Sequence, residues 1–272
     1  ETAADLKDGE PQPEKDELGR KIVTDRTRSF ENKRLWQRFF IIFGGAFMNL
    51  VLGVVAFIIM VSMQKYVGTP IIAGFTENAV SNKYLQKYDK ITTINGLSII
   101  SPDDIDFAFM RNNKNTAEFE VERGGKKMRF DAVPILYKEV DGVRYGQLDF
   151  IRGGYKKNPL NVVGGGFLKS VSASRQILIS VTDLITGREK LESMSSIIGV
   201  GDAIGQAVKQ SAAIGIKNMI ATLLFITGLI SVNLGIFNLL PFPALDGGRM
   251  IFLLIEGVIR RPVNRKIQAY VN

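Results

Sequence analysis

Two stretches of the chain are apolar over a length that an ordinary core helix does not need. Phe39 to Gln64 carries no charge between Arg38 and Lys65, and Met219 to Leu245 carries none at all. Each exceeds the roughly 20 residues that cross the ~30 Å hydrocarbon layer of a bilayer. The pattern predicts one membrane helix over 39–64 and another over 214–240. Basic residues are placed unevenly around them. Arg20, Lys21, Arg26, Arg28, Lys33, Arg34 and Arg38 precede the first span, against Lys65 just beyond it, and Arg249, Arg260, Arg261, Arg265 and Lys266 follow the second. Because cytoplasmic flanks collect Lys and Arg, both flanks are expected on the cytoplasmic side. The spans are then antiparallel, and the segment between them lies outside the cytoplasm or on the outer membrane surface.

Between the spans the texture changes to that of a small mixed domain over 68–137. Ile71 to Phe75 and Lys90 to Ile94 read as strands, and Asn95-Gly96 is a tight-turn signal before Leu97-Ser98-Ile99. Pro102 to Met110 reads as a helix with Ser101 at its N-cap and the proline at its first position. A hairpin follows, Ala117 to Glu122 and Lys126 to Val133, its alternating Phe119, Val121, Met128 and Phe130 flanking Gly124-Gly125. Residues 138–213 are expected as a linker containing an amphipathic helix, since Phe167, Leu168, Val171, Ile177, Leu178 and Val181 recur around Lys169 and Arg175. That helix either lies on the bilayer surface or packs on the soluble domain. Ser193 to Gly201 reads as a small-residue loop. Residues 1–38 form an acidic tail followed by the basic anchor, with Trp36 at the membrane interface.

The net charge of +8 is then a signal of membrane topology. No basic helix with interleaved aromatics supports nucleic-acid binding, so no nucleic-acid partner is expected, and the bilayer is the partner the charges imply. The chain has no cysteine, which excludes disulfides and thiolate metal sites, and no histidine.

The order of elements after the first span resembles a PDZ domain of the circularly permuted kind carried by membrane proteases. Its D-x-I-x-x-I-N-G turn is Asp89 to Gly96, although Tyr88 stands where Gly is usual and Lys83-Tyr84-Leu85 replaces the usual A-G-L. The resemblance implies that an extended peptide adds as a strand to an open sheet edge.

At the end of the second span the chemistry becomes specific. Residues 241–272 open with two helix-breaking prolines and a carboxylate at membrane depth, where an uncompensated charge costs on the order of 3 kcal/mol. N-x-x-P-x-P-x-L-D-G is matched by Asn238, Pro241, Pro243, Leu245, Asp246 and Gly247, and it resembles the signature of the site-2 protease family of intramembrane zinc metalloproteases. Gly45 to Asn49 in the first span is similar to the family's G-P-x-x-N element, with Ala46 in place of the proline. Trp36-Gln37-Arg38 and Gly187-Arg188-Glu189 fall in the order of the bacterial branch with one PDZ domain.

The resemblance implies a polytopic α-helical membrane protein with an inserted α+β PDZ-like domain, and a zinc cofactor bound by two histidines of an H-E-x-x-H helix and by Asp246. A catalytic zinc keeps a fourth position for water. Pro241 and Pro243 would leave unwound backbone beside a polar cavity. Asn49 and Asn238 would hydrogen-bond the backbone of an unwound substrate. Substrates of the family are transmembrane segments such as those of anti-sigma factors or remnant signal peptides. Without histidine, H-E-x-x-H is absent from these 272 residues, which are expected to be inactive alone and to be a stretch of a longer protease. Rival readings are a non-catalytic PDZ-bearing adaptor or pseudoprotease, and a transporter with a broken helix. Asp246 as a mere helix N-cap, and Asn49 as a helix-helix hydrogen-bonding residue, are the simpler readings of those two side chains. Glu256 is placed near the interface without a role.

Overall fold

The computed structural model describes residues 33–259 except 113, 141–142, 188–196 and 243–244. The acidic tail, most of the basic anchor, Arg188-Glu189, the start of the Ser193 loop, Pro243 and the basic residues after 259 lie outside the described residues. Two units divide the chain, one formed by Glu1–Gly44 with Leu240–Asn272 and the other by Gly45–Leu239.

Among the described residues two helices are long and apolar enough to cross a membrane, α1 (Leu35–Met63) and α5 (Ile216–Leu239). They cover most of the two uncharged runs, the second of which continues past the end of α5 to Leu245. Small residues bring them close together: a Cβ on Gly53 would meet Val232, one on Gly228 would meet the Phe57 ring, and one on Gly235 would meet Leu50 and the Ala46 carbonyl. In lipid there is little hydrophobic drive between helices, so such close backbone approach supplies the packing energy.

The chain leaves α1 directly into a sheet. Its strands are β1 (Tyr66–Phe75), β2 (Lys90–Ile94), β3 (Leu97–Ser98), β4 (Thr116–Arg123), β5 (Lys126–Pro134) and β8 (Phe150–Lys156); β6 (Leu136–Val140) and β7 (Val143–Gln147) form a separate hairpin. The order is β5-β4-β2-β1-β8, with β3 on β2. Asn95 and Gly96 have φ of 50° and 76°, and Gly124 and Gly125 of 56° and 78°, the positive values that two-residue hairpin turns demand. Ile72, Leu85, Ile91, Ile94, Ile105, Phe119, Val121 and Val133 form the core. β5 is the opposite edge strand, and its Met128 faces outward.

Asp89 is buried and binds Arg123 through both carboxylate oxygens, at 2.7 and 2.8 Å. This hydrogen-bonded partner raises the Arg123 pKa. Tyr88 before it has φ 74°, the left-handed region where a side chain is strained. Its N–H donates to the Ile72 carbonyl at 2.8 Å, which holds the turn on β1, and its ring is exposed. Tyr88→Gly is expected to raise stability by about 1 kcal/mol, the left-handed penalty removed, as a shifted midpoint in thermal unfolding; an unchanged or lowered midpoint refutes it.

α2 (Pro102–Met110) opens as the sequence predicts, with Ser101 at the N-cap. Its Asp104 is buried and accepts the Ile100 and Ser101 N–H groups at 2.9 and 3.0 Å. α3 (Pro159–Ile185) packs along it. Ser172 and Gln176 donate to Asp104 and Arg175 pairs with it at 3.0 Å, while Lys169 binds Asp103 at 2.6 Å and Arg111 binds Asp183. Lys169 Nζ also lies 6.0 Å from the Phe57 ring centroid and 5.2 Å from that of Phe225. Gly166 lets α3 cross α1, since a Cβ there would sit 2.6 Å from Ile58 Cα. Leu160, Val163, Phe167, Leu178 and Ile185 stay exposed on its other face. α4 (Ile197–Ile214) begins inside the stretch read as a small-residue loop, so Ile197 to Gly201 are helical.

Candidate functional site

α5 stops at Leu239 because the following residue precedes Pro241, whose ring disfavours helical backbone before it and whose nitrogen has no hydrogen to donate. The chain turns there: the Phe242 N–H donates to the Leu240 carbonyl at 2.8 Å and the Leu245 N–H to the Phe242 carbonyl at 3.3 Å. Pro241 and Phe242 are exposed. α6 (Asp246–Ile259) then begins with Asp246 as its first residue. The Asp246 carboxylate is half-buried and makes no side-chain hydrogen bond to another described residue. The positive end of the helix dipole favours an anion at this position.

Asn49 and Asn238 belong to the other unit. Gly235 rests on Leu50 and the Ala46 carbonyl; Asn49 stands midway along α1 and Asn238 in the last turn of α5. Both are half-buried, and neither amide bonds another described side chain or carbonyl. Pro243 lies outside the described residues. Among those residues no group of three or more His, Asp or Glu side chains is gathered as a metal site.

Glu256, to which the sequence reading assigns no role, has a partner. It is 7% exposed, and its carboxylate binds Arg38 of α1 at 3.1 Å. An ion pair removed from water brings little net stability, but removing one partner strands the other charge, so the pair fixes how α6 seats on the first turns of α1. Arg38 had read only as part of a basic flank; an acid two turns and more into an apolar helix was the signal that it needed a partner.

The sequence profile of peptidase family M50 matches residues 7–272. The regulator of sigma-W protease RasP of Bacillus subtilis (strain 168) is 32% identical over 257 residues, 92% of this chain and 57% of that protein. The zinc metalloprotease RasP of Geobacillus kaustophilus is 32% identical over 247 residues, covering 90% of this chain and 56% of that protein. A putative zinc metalloprotease of Staphylococcus aureus (strain MSSA476) is 30% identical over 264 residues, 92% of this chain and 58% of that protein. The chain thus spans a little over half the length of these relatives. Two membrane-length helices, a proline-broken connection with an acid opening the next helix, and a profile match over nearly every residue agree: the chain belongs to peptidase family M50, the membrane-integral site-2 proteases.

Proposed function

We propose that this chain is part of a zinc-dependent intramembrane endopeptidase that cuts transmembrane segments of other proteins, and that Asp246 is one ligand of its metal. The observation that carries this reading is the half-buried carboxylate that opens α6 straight after the break at Pro241, with no described hydrogen-bond partner of its own. A ligand must keep its oxygens available, whereas a structural carboxylate is normally satisfied by donors.

The donor set of these residues is partial. One carboxylate is supplied and no imidazole exists in the sequence, so the remaining ligands would come from polypeptide outside these residues, and no hydrolytic step is assigned to this stretch alone. Zinc, when bound, would acidify a water and polarise the scissile carbonyl. What this chain adds is positioning. Asn49 on α1 and Asn238 on α5 offer amide donors and acceptors, and Pro241 and Pro243 keep the connection from continuing as helix. The Arg38–Glu256 pair seats the helix that carries Asp246.

The uneven basic flanks support cytoplasmic placement of both ends of this stretch and an extracytoplasmic, PDZ-like sheet region. The Bacillus subtilis relative is named for regulating sigma-W, which is consistent with anti-sigma factors or trimmed signal peptides as the substrate class. The test uses the full-length protein in nanodiscs. Metal analysis is expected to find about one zinc per chain, and a chelator such as phenanthroline should abolish cleavage of a model transmembrane substrate until zinc is returned. Full cleavage after the metal has been stripped overturns the reading, and a metal-free, inactive full-length protein makes it an adaptor.

A further inference from the structure

The charged residues of α3 are Lys169, Arg175 and Asp183, and each has its counter-ion on α2 or just after it. Lys169 binds Asp103, Arg175 pairs with Asp104 and Asp183 binds Arg111. The rest of the helix surface is uncharged. A second face of small and apolar residues meets the membrane-length helices: a Cβ on Gly165 would touch Val61, one on Gly166 would touch Ile58, and Ala173 and Ile177 join the cluster that holds Phe57, Val232 and Leu224.

The third face is open. Leu160, Val163, Phe167, Val171, Leu178 and Ile185 recur at helical spacing and are between 38% and 81% exposed. At 1.5 Å per residue the stripe runs for about 38 Å, which is a large apolar surface to leave in water. At about 100° per residue it lies beside the face that meets α1 and α5 and opposite Lys169 and Asp183.

Two observations say what covers it. The first is depth. α3 crosses α1 at Ile58, five residues before that helix ends at Met63, which places the crossing about 7 Å inside the apolar run. Interfacial helices sink their apolar faces by about 5–10 Å into the boundary of headgroups and acyl chains. The second is the set of side chains gathered where α3 begins. Tyr66 pairs with Lys156 across β1 and β8, Tyr155 and Lys65 adjoin them in sequence, and Lys157 Nζ donates to the Ser62 carbonyl of α1 at 2.7 Å. All five of these Tyr and Lys residues are exposed. Tyrosine and lysine together collect at the headgroup level of a membrane protein.

We infer that α3 is an interfacial helix whose Leu160 to Ile185 stripe is embedded in the acyl chains of the leaflet around the Met63 end of α1, with Lys65, Lys156 and Lys157 at the lipid phosphates. The occupant of the stripe is phospholipid. The sheet region then has a non-spanning hold on the bilayer besides the two membrane-length helices, because the charged face of α3 grips α2 while its apolar face grips lipid. This rests on the membrane-integral character of the family and not on proteolysis, so an inactive protein serves equally well for the test.

The absence of cysteine from these residues makes the test direct. Single cysteines replace Val163, Phe167 or Leu178 on the stripe, or Lys127 on the exposed edge strand β5 as a reference, in the full-length protein with any cysteine outside these residues changed to serine. Each is labelled with an environment-sensitive fluorophore in phosphatidylcholine–phosphatidylglycerol nanodiscs. The three stripe labels are expected to be quenched about threefold or more by lipid carrying a nitroxide near the acyl carbonyl, the depth at which such a helix sits. Aqueous iodide should quench only the label at Lys127. Iodide quenching of the stripe labels equal to that at Lys127 means a face in water and overturns the inference. Stripe labels quenched by neither reagent mean that protein covers the face, whether a second copy or another partner, and overturn it as well.

Discussion

Asp246→Ala in the full-length protein is expected to abolish cleavage of a transmembrane substrate, lowering kcat by a thousandfold or more, while the protein stays folded. Metal polarisation contributes several kcal/mol to the transition state, and each ~1.4 kcal/mol is a factor of ten in rate. The structural cost is far smaller. The carboxylate has no described hydrogen-bond partner to strand, so the protein loses only its favourable interaction with the start of α6, about 0.3–1 kcal/mol. Cleavage, bound zinc and thermal unfolding measured on one preparation separate the two roles. Undiminished cleavage with a lowered melting temperature would assign Asp246 to helix stability alone.

Asp104→Ala should be the most damaging single change in the sheet region. It leaves Arg175, the Ser172 hydroxyl and the Ile100 and Ser101 N–H groups facing a buried gap, and breaking a buried charged network of this kind costs about 3–5 kcal/mol. Thermal or denaturant unfolding reads this directly, and a loss under ~1 kcal/mol contradicts the network.

The same residue sets an acid limit. Burial by itself pushes the Asp104 pKa up, but the hydrogen bonds from Ser172, Ile100, Ser101 and Gln176 outweigh it and hold the carboxyl below its ordinary value. A depressed folded pKa contributes stability that is complete above the unfolded value and disappears as pH falls through the folded one. Acid unfolding of the native protein below about pH 4 should therefore include an increment that Asp104→Asn lacks.

What could be read from the sequence were features written locally. Phe39 to Gln64 and Met219 to Leu245 declare their spans by length, Ser101-Pro102 declares a helix start, and Asn95-Gly96 and Gly124-Gly125 declare turns. The proposal for Asp246 likewise starts from local sequence, two prolines and an asparagine at fixed distances from it. Features that depend on a distant partner were not legible. β8 contains two adjacent glycines and no alternation, so nothing in Phe150 to Lys156 signals a strand until β1 is beside it. Glu256 shows no role in the sequence because its partner Arg38 is 218 positions away. The start of α4 reads as a loop by composition, since Ser193 to Gly201 is rich in small residues. Tyr88 in a left-handed turn is a departure that only backbone angles expose.

Lys169 carries a mechanical consequence. Its ammonium is shared between Asp103 of α2 and the faces of Phe57 and Phe225, one on each membrane-length helix. Any swing of the sheet region relative to the two helices has to strip that cation from its counter-ion or from its rings. Force applied to the sheet region thus passes into the aromatic residues of both helices.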